Sequence, residues 1–284
     1  MRAERPLFGC ISWLCRYNMP VFLVFSQSPP FLPPRRTMEL PQPNRFFLLP
    51  CTLTLASLFS GFYSIIASIN GDFYPAAAAI IVAGVFDGLD GRVARMTGSA
   101  SDFGMQLDSL CDLVSFGVAP ALLAYLWALL PYGRYGWLAA FLYVAATSLR
   151  LARFNTIAEQ PPEKQKSHDF VGLPCPAAAG AIATLVMFFR FLGAEDTVKH
   201  LSILLLVYLL SYLMISAHRY LSFKKISIPR EKRFQAVVGI ILAMVFLASE
   251  PPVTLFFTAL CYAASGPLLD LYQFIQRKRQ PPAA

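Results

Sequence analysis

Four aspartates stand in two pairs at helical spacing near the middle of the chain. Asp87 and Asp90 are three residues apart, and Asp108 and Asp112 are four apart. Both spacings place two side chains on one face of a helix. If the turn between the two helices folds them back on each other, four carboxylates converge and require compensating protons or cations. Oxygen ligands without His or Cys favour Mg²⁺ or Mn²⁺, and two such ions can clamp a pyrophosphate.

Other residues of the same stretch suit a phosphate ligand. Arg95 lies eight residues beyond Asp87, on nearly the same helix face, and a guanidinium grips phosphate oxygens in a bidentate manner. Glycines let a ligand approach the backbone, and the stretch holds Gly88, Gly91, Gly98 and Gly104. A fifth acid, Asp102, lies off the pattern, and we predict a loop or N-cap residue there.

The elements that carry these residues are predicted to be transmembrane helices. Hydrophobic residues make up 56% of the 284 residues and charged residues only 14%, which is typical of a polytopic all-α membrane protein. Several apolar segments approach the ~18–20 residues that cross a bilayer as a helix. We predict eight segments, at about 46–69, 74–95, 107–131, 136–155, 174–194, 199–217, 234–249 and 252–274.

Lysine and arginine alternate along the loops. They cluster before the first segment, after segments 2, 4 and 6, and after segment 8, whereas the intervening loops are nearly bare. The positive-inside rule then predicts eight spans with both termini in the cytoplasm and the aspartate turn on the cytoplasmic side. The net charge of +8 fits topology and anionic lipid, and no basic domain with interleaved aromatics suggests nucleic acid.

Four regions are predicted along the chain. Residues 1–37, with the proline-rich SPPFLPPRR, are expected to be a poorly ordered extension or to precede the natural start at Met38. A catalytic transmembrane core at 38–225 is followed by a two-helix hairpin at 226–275 and a basic cytoplasmic tail at 276–284. The six cysteines form no C-x-x-C pair, and we interpret them as small packing residues.

The aspartate stretch resembles the signature of the CDP-alcohol phosphotransferase family. D-G-x-x-A-R, eight residues, and G-x-x-x-D-x-x-x-D run here from Asp90 to Asp112, preceded by an extra acid at Asp87. The resemblance implies a six-helix membrane core that transfers a phosphatidyl-type group from a CDP-linked donor to an alcohol and releases CMP. Cys51 departs from the pattern, since the family often has Asn at the corresponding position.

The resemblance also implies roles for individual residues. The four paired aspartates, Asp87, Asp90, Asp108 and Asp112, would bind two divalent ions. Asp112 would in addition be the general base that deprotonates the acceptor hydroxyl. Contacts to the CDP moiety would come from Gly91, Arg95 and Ser101.

Three further stretches resemble the phosphatidylserine synthase branch of this family. They are SFGVAPA at 115–121, SLRLARFN at 148–155 and FVGLPCPAAAG at 170–180, and the likeness extends from about Met38 to about Lys224. It implies CDP-diacylglycerol and L-serine as substrates. Serine needs a cation for its carboxylate, and Arg150 and Arg153 are the candidates. Both arginines are equally well explained as topology anchors or as ligands of lipid phosphate.

Alternative functions remain at this stage. Glycerol phosphate, inositol phosphate or choline could be the acceptor, although the two phosphate-bearing acceptors would need additional cationic ligands. A cation or proton transporter also uses buried carboxylates, but here the acids are predicted at a helix end and not at the midplane. We expect an integral protein of a prokaryotic cytoplasmic membrane, with its site facing the cytoplasm and a lateral opening for lipid tails. The two C-terminal helices could form a homodimer surface or simply pack on the core.

Overall fold

The computed structural model describes the greater part of the chain, within the compact unit Gln42–Ala284. The described residues are 48–98, 101–158, 172–193, 201–216, 218, 220, 238, 239, 244, 246 and 249–279, with side chains up to residue 270. The predicted extension at 1–37, most of the segment at 234–249 and much of the basic tail lie outside them.

The described elements are all helices. They are α1 (Leu48–Ile69), α2 (Phe73–Thr97), α3 (Asp102–Tyr132), α4 (Arg134–Ala158), α5 (Cys175–Phe191), α6 (Leu201–Ile215) and α7 (Pro251–Arg279). Four of them, α1, α2, α3 and the first 20 residues of α7, are long and apolar enough to cross a membrane. An all-α membrane protein is thereby confirmed, whereas the eight spans and the cytoplasmic termini stay predictions.

Helix α3 is irregular directly after its last aspartate. Asp112 ends the first α-helical stretch, and Leu113–Val118 and Tyr125–Leu129 are π-helical. A π-turn inserts an extra residue and rotates the side chains that follow it. After this rotation Ser115 is directed at α1, where its Oγ donates a hydrogen bond to the Ser57 carbonyl (3.1 Å).

Small residues allow α1, α2 and α3 to approach closely. Ser57 Oγ donates to the Ala83 carbonyl of α2 at 3.1 Å, so one serine on α1 connects to both neighbouring helices. Gly61 lies one turn further along α1 against Ser115. In a membrane, small residues and hydroxyls at helix crossings replace the hydrophobic driving force that water would supply. This crossing fixes α2 beside α3, which brings their aspartates to the same end.

We expect Gly61→Ala to destabilise the protein. A Cβ at this position would lie 2.5 Å from Ser115 Oγ and 2.6 Å from Ser115 Cα, so α1 and α3 would have to separate, at a cost of about 1–3 kcal/mol. Thermal unfolding of the purified protein in detergent measures the effect. Gly84→Ala is the matched control, because its Cβ would meet only Phe116 Cε1 at 3.9 Å. Equal melting temperatures for both variants would contradict the close crossing.

Helix α5 is largely enclosed, whereas the outer faces of α1 and α2 are not. Small buried side chains such as Ala178, Ala179 and Ala183 let α5 contact α2, α3 and α7. Large apolar side chains are exposed on α1 and α2, among them Phe59 and Val85. Such side chains suit contact with lipid tails.

Candidate active site

The two aspartate pairs meet where the end of α2 lies beside the beginning of α3. One carboxylate oxygen from each of Asp87, Asp90 and Asp108 can be chosen so that all three lie within 4.8 Å of one another. The turn between the helices supports this arrangement, because Gly98 ends α2 in the left-handed conformation (φ 61°) that glycine adopts without strain. Three of the four predicted acids therefore form one compact cluster.

Asp112 joins the cluster through Asp87. It lies one turn beyond Asp108 on α3, half-buried, and its carboxyl group is within hydrogen-bonding distance of that of Asp87. Two carboxyl groups approach this closely only with a proton or a cation to offset their repulsion. Asp112 is thus the fourth acid of the cluster.

The donor set fits divalent cations. Asp90 is only 5% exposed, and the Oδ2 atom of Asp90 and the Oδ1 atom of Asp108 are buried without a hydrogen-bond partner. A buried carboxylate oxygen without a partner is costly, and a bound cation would satisfy both atoms. All these donors are carboxylate oxygens, which hard ions such as Mg²⁺ and Mn²⁺ prefer. The Thr54 side chain of α1 contacts the Asp90 carboxylate and helps to orient it.

The residues predicted to contact CDP surround this cluster on the side of the α2–α3 turn. Gly91 directly follows Asp90, and the space where a Cβ would project is open. Arg95 is exposed in the last turn of α2. Ser101 stands at the start of α3, where its Oγ accepts a hydrogen bond from the Gly104 N–H at 3.1 Å. These positions leave the backbone of Gly91 and the Arg95 guanidinium accessible to a ligand.

The prediction for Asp102 is wrong by one residue. Ser101 is the N-cap of α3, and Asp102 is the first residue inside the helix, with an exposed side chain. Because Ser101 caps the helix here, α3 begins at residue 102, earlier than the predicted segment start at 107. An acid in the first turn is favourable next to the positive end of the helix dipole.

The two candidate arginines for the acceptor differ in their surroundings. Arg153 is exposed, whereas Arg150 is half-buried and its Nη1 donates to the Met214 carbonyl at 3.3 Å. Cys175, the first residue of α5, is 3% exposed. It lies near Arg150 and also near Asp112 and Asp87, so Cys175 is a shared neighbour of the arginine and of the aspartates. The sequence alone does not distinguish the two arginines.

Sequence reasoning missed several tyrosines near Arg150 or near its neighbour Cys175. Tyr220 and Tyr262 lie near the guanidinium of Arg150. Tyr143, seven residues before Arg150 on the same face of α4, has a fully buried hydroxyl without a hydrogen-bond partner. The spacing of seven could have revealed Tyr143, but the other two tyrosines come from distant parts of the chain.

An asparagine in the stretch at 148–155 connects α4 to α3. Asn155 Nδ2 donates to Gln106 Oε1 at 3.3 Å, and its Oδ1 accepts from Ser109 Oγ at 3.0 Å. Ser109 directly follows Asp108, so this contact holds the first turns of α3 against α4. The asparagine therefore supports the helix that carries two of the aspartates.

Comparison with known proteins identifies one enzyme family. The CDP-alcohol phosphatidyltransferase family matches residues 47–210. A CDP-diacylglycerol–serine O-phosphatidyltransferase of Helicobacter pylori is 36% identical over 209 residues, which cover 72% of this chain and 84% of that protein. The enzyme with the same name from Bacillus subtilis is 34% identical over 178 residues, 62% of this chain and 92% of its own. An archaetidylserine synthase of Methanothermobacter thermautotrophicus is 37% identical over 165 residues, 57% of this chain and 68% of that protein.

Proposed function

Because the chain belongs to the CDP-alcohol phosphatidyltransferase family, we propose that it transfers the phosphatidyl group of CDP-diacylglycerol to the hydroxyl of L-serine. The products are phosphatidylserine and CMP. The observation that carries the proposal is the cluster of Asp87, Asp90 and Asp108, with buried oxygens that lack partners, inside the matched region. Serine as the acceptor is supported by the names of the relatives. They include serine both for the phosphatidyltransferase and for the archaetidylserine synthase, although the lipid differs.

Asp87, Asp90, Asp108 and Asp112 would hold two divalent ions, Mg²⁺ or Mn²⁺. When bound, the ions would neutralise charge on the pyrophosphate of the donor. Gly91 would let the nucleotide approach the backbone of α2, and Ser101 would contact the same CDP moiety. Arg95 would pair with phosphate oxygens and so stabilise the charge that develops on the departing CMP.

Asp112 is the proposed general base. Its carboxylate takes the proton from the serine hydroxyl while the serine oxygen attacks the phosphorus that carries the diacylglycerol. The bond between that phosphorus and the oxygen shared with CMP breaks, and CMP leaves with the bonding electron pair. A carboxylate is a weak base for a hydroxyl, so holding the reactants in the correct orientation must supply much of the acceleration.

Arg150 is the proposed partner of the serine carboxylate. It lies near Cys175 at the first turn of α5, where the positive end of the helix dipole also favours an anion. The same cysteine interacts electrostatically with Asp112. An acceptor bound by its carboxylate at Arg150 would therefore have the general base in its vicinity. The exposed Arg153 is the weaker candidate and fits a topology anchor.

The proposed topology places this site at the cytoplasmic face of a prokaryotic inner membrane. Eight spans with both termini inside would put the α2–α3 turn in the cytoplasm, where CMP is released. The diacyl tails of the donor would stay in the bilayer and enter laterally between helices. The exposed apolar faces of α1 and α2 are compatible with such lipid contact.

A panel of acceptor alcohols tests the proposed function. The purified chain is incubated with labelled CDP-diacylglycerol, a divalent ion, and serine, glycerol 3-phosphate, inositol phosphate or choline. We expect CMP release with serine and not with the other three, because the half-buried Arg150 suits a carboxylate, which serine has and the other three acceptors lack. CMP release with another acceptor, and none with serine, would reject the serine assignment.

A further inference from the structure

The C-terminal helix α7 lies outside the matched family region, yet it packs closely on the segment that follows α6. Of its residues from 251 to 270, only Ala263 and Gly266 are buried. Both contact Tyr220. The Tyr220 hydroxyl donates to the Ala263 carbonyl at 3.2 Å, and a Cβ on Gly266 would lie 2.7–2.8 Å from the Cε atoms of the ring. The two buried residues of α7 between 251 and 270 therefore both lie at its contact with Tyr220.

A polar contact one turn further along α7 reinforces this packing. His218 Nδ1 donates to Asp270 Oδ2 at 2.5 Å. Tyr220 and Tyr262 also have their ring centroids 5.7 Å apart. Two residues of the segment after α6, His218 and Tyr220, thus both contact the middle of α7, between Tyr262 and Asp270.

The last turn of α6 and the segment after it both support the Arg150 side chain. The Met214 carbonyl of α6 accepts a hydrogen bond from Arg150 Nη1, and after the helix the His218 carbonyl accepts one from the Gly172 N–H at 2.8 Å. A Cβ on Gly172 would lie 2.6 Å from Arg150 Nη1, and its φ of 86° already favours glycine. The guanidinium therefore lies against the backbone of Gly172 and against the last turn of α6. The His218 carbonyl holds Gly172 in this place.

Two tyrosines complete the connection between Arg150 and α7. Tyr220 in the segment after α6 and Tyr262 on α7 both lie near the guanidinium. A side chain at position 266 would displace the Tyr220 ring, and with it the neighbouring His218, whose carbonyl holds Gly172 against Arg150. Nearer its beginning, α7 packs on α5 through an apolar contact: the Phe256 ring stacks on the Phe188 ring, with 4.8 Å between the centroids.

We propose that α7 positions Arg150 for the acceptor through the contact of Tyr220 with Gly266. Tyr220, Gly266 and His218 are then positioning residues of the acceptor subsite, and α7 is a functional part of the enzyme. The proposal rests on the proposed function, in which Arg150 binds the serine carboxylate. It predicts that a change at Gly266 acts on serine binding and leaves the CDP-diacylglycerol site, formed by α2 and α3, nearly unaffected.

Steady-state kinetics of the purified full chain in detergent test this proposal. Gly266→Ala forces the Tyr220 ring to move, and we expect the KM for serine to rise about tenfold or more while the KM for CDP-diacylglycerol stays within about twofold. Leu268→Ala, which truncates a 62% exposed side chain on the same helix, is the control and should leave both KM values unchanged. A serine KM equal to that of the wild type in Gly266→Ala would overturn the proposal.

A milder variant covers the case in which Gly266→Ala does not fold. Tyr220→Phe keeps the ring and removes only the hydroxyl that donates to Ala263, and we expect a severalfold rise in the serine KM. An unchanged serine KM in this variant would also count against positioning. Arg150→Lys distinguishes a failure of the positioning role from a failure of the proposed function. If it raises the serine KM and the α7 variants do not, only the positioning role is wrong, whereas a wild type without serine-dependent CMP release refutes the proposed function itself.

Discussion

Asp112→Asn is expected to abolish phosphatidyl transfer while leaving the fold intact. Asparagine has nearly the same shape as aspartate but cannot accept the proton of the acceptor hydroxyl. General-base removal typically lowers turnover by about 10²–10⁴-fold, and loss of a metal ligand adds to this effect. The measurement is CMP release per enzyme under saturating serine and CDP-diacylglycerol, with the amount of folded protein checked by gel filtration.

A second prediction for Asp112→Asn concerns its thermal stability. Asp112 lies within hydrogen-bonding distance of Asp87 in a partly buried cluster of acids, so removing its charge relieves repulsion when no metal is present. We therefore expect a melting temperature in the metal-free protein that is equal to or higher than that of the wild type. Asp102→Asn is the matched control, since this exposed acid begins the same helix and should retain activity. Normal metal-dependent turnover in Asp112→Asn would refute its role as the base.

Asp108→Asn is expected to weaken the use of divalent ions strongly. The Oδ1 atom of Asp108 is buried without a hydrogen-bond partner, and a carboxylate oxygen of this residue lies within 4.8 Å of those of Asp87 and Asp90. Removing one of these charged ligands should raise the concentration of Mn²⁺ or Mg²⁺ needed for half-maximal activity by about tenfold or more. Chelation should stop turnover in the wild type, and added divalent ion should restore it.

A readout without turnover distinguishes metal binding from other roles of Asp108. A ligand that binds only the folded state raises the melting temperature, and at a given concentration the rise is larger the more tightly the ligand binds. Mn²⁺ should therefore stabilise the wild type and the control Asp72→Asn, whose exposed side chain lies at the opposite end of α2. It should stabilise Asp108→Asn less at the same concentration. Equal stabilisation of all three proteins would contradict a metal site at the cluster.

Local spacing explains why much of the site was predictable. Separations of three and four residues place Asp87 with Asp90 and Asp108 with Asp112 on helix faces whatever the tertiary structure, and the apolar segments indicated the helices that carry them. The prediction for Asp102 was wrong because Ser and Asp are both good N-caps. Which of two neighbours caps a helix depends on the backbone conformation at the turn, and Ser101 has the extended conformation required.

Tertiary contacts decided the features that spacing could not. Arg150 and Arg153 are three residues apart on one helix, and the packing of α4 against α6, whose Met214 carbonyl binds Arg150, leaves Arg153 exposed. The π-helical turn after Asp112 depends on how α3 fits between α1 and α4, and the stretch LVSFGV carries no sequence signal for it. Tyr220 and Gly266 are 46 residues apart in the chain, so their contact could not be inferred from local periodicity. The predicted segment at 234–249 lies mostly outside the described residues, and the eight-span topology stays a prediction.

The most direct test of the account is the transfer of labelled L-serine into lipid by the purified chain. Serine, CDP-diacylglycerol and Mn²⁺ or Mg²⁺ are supplied, and lipid-bound serine is compared with the CMP released. We predict equal amounts of the two products, with neither formed after chelation or by Asp112→Asn. CMP release without lipid-bound serine, or serine transfer that continues without a divalent ion, would contradict the account.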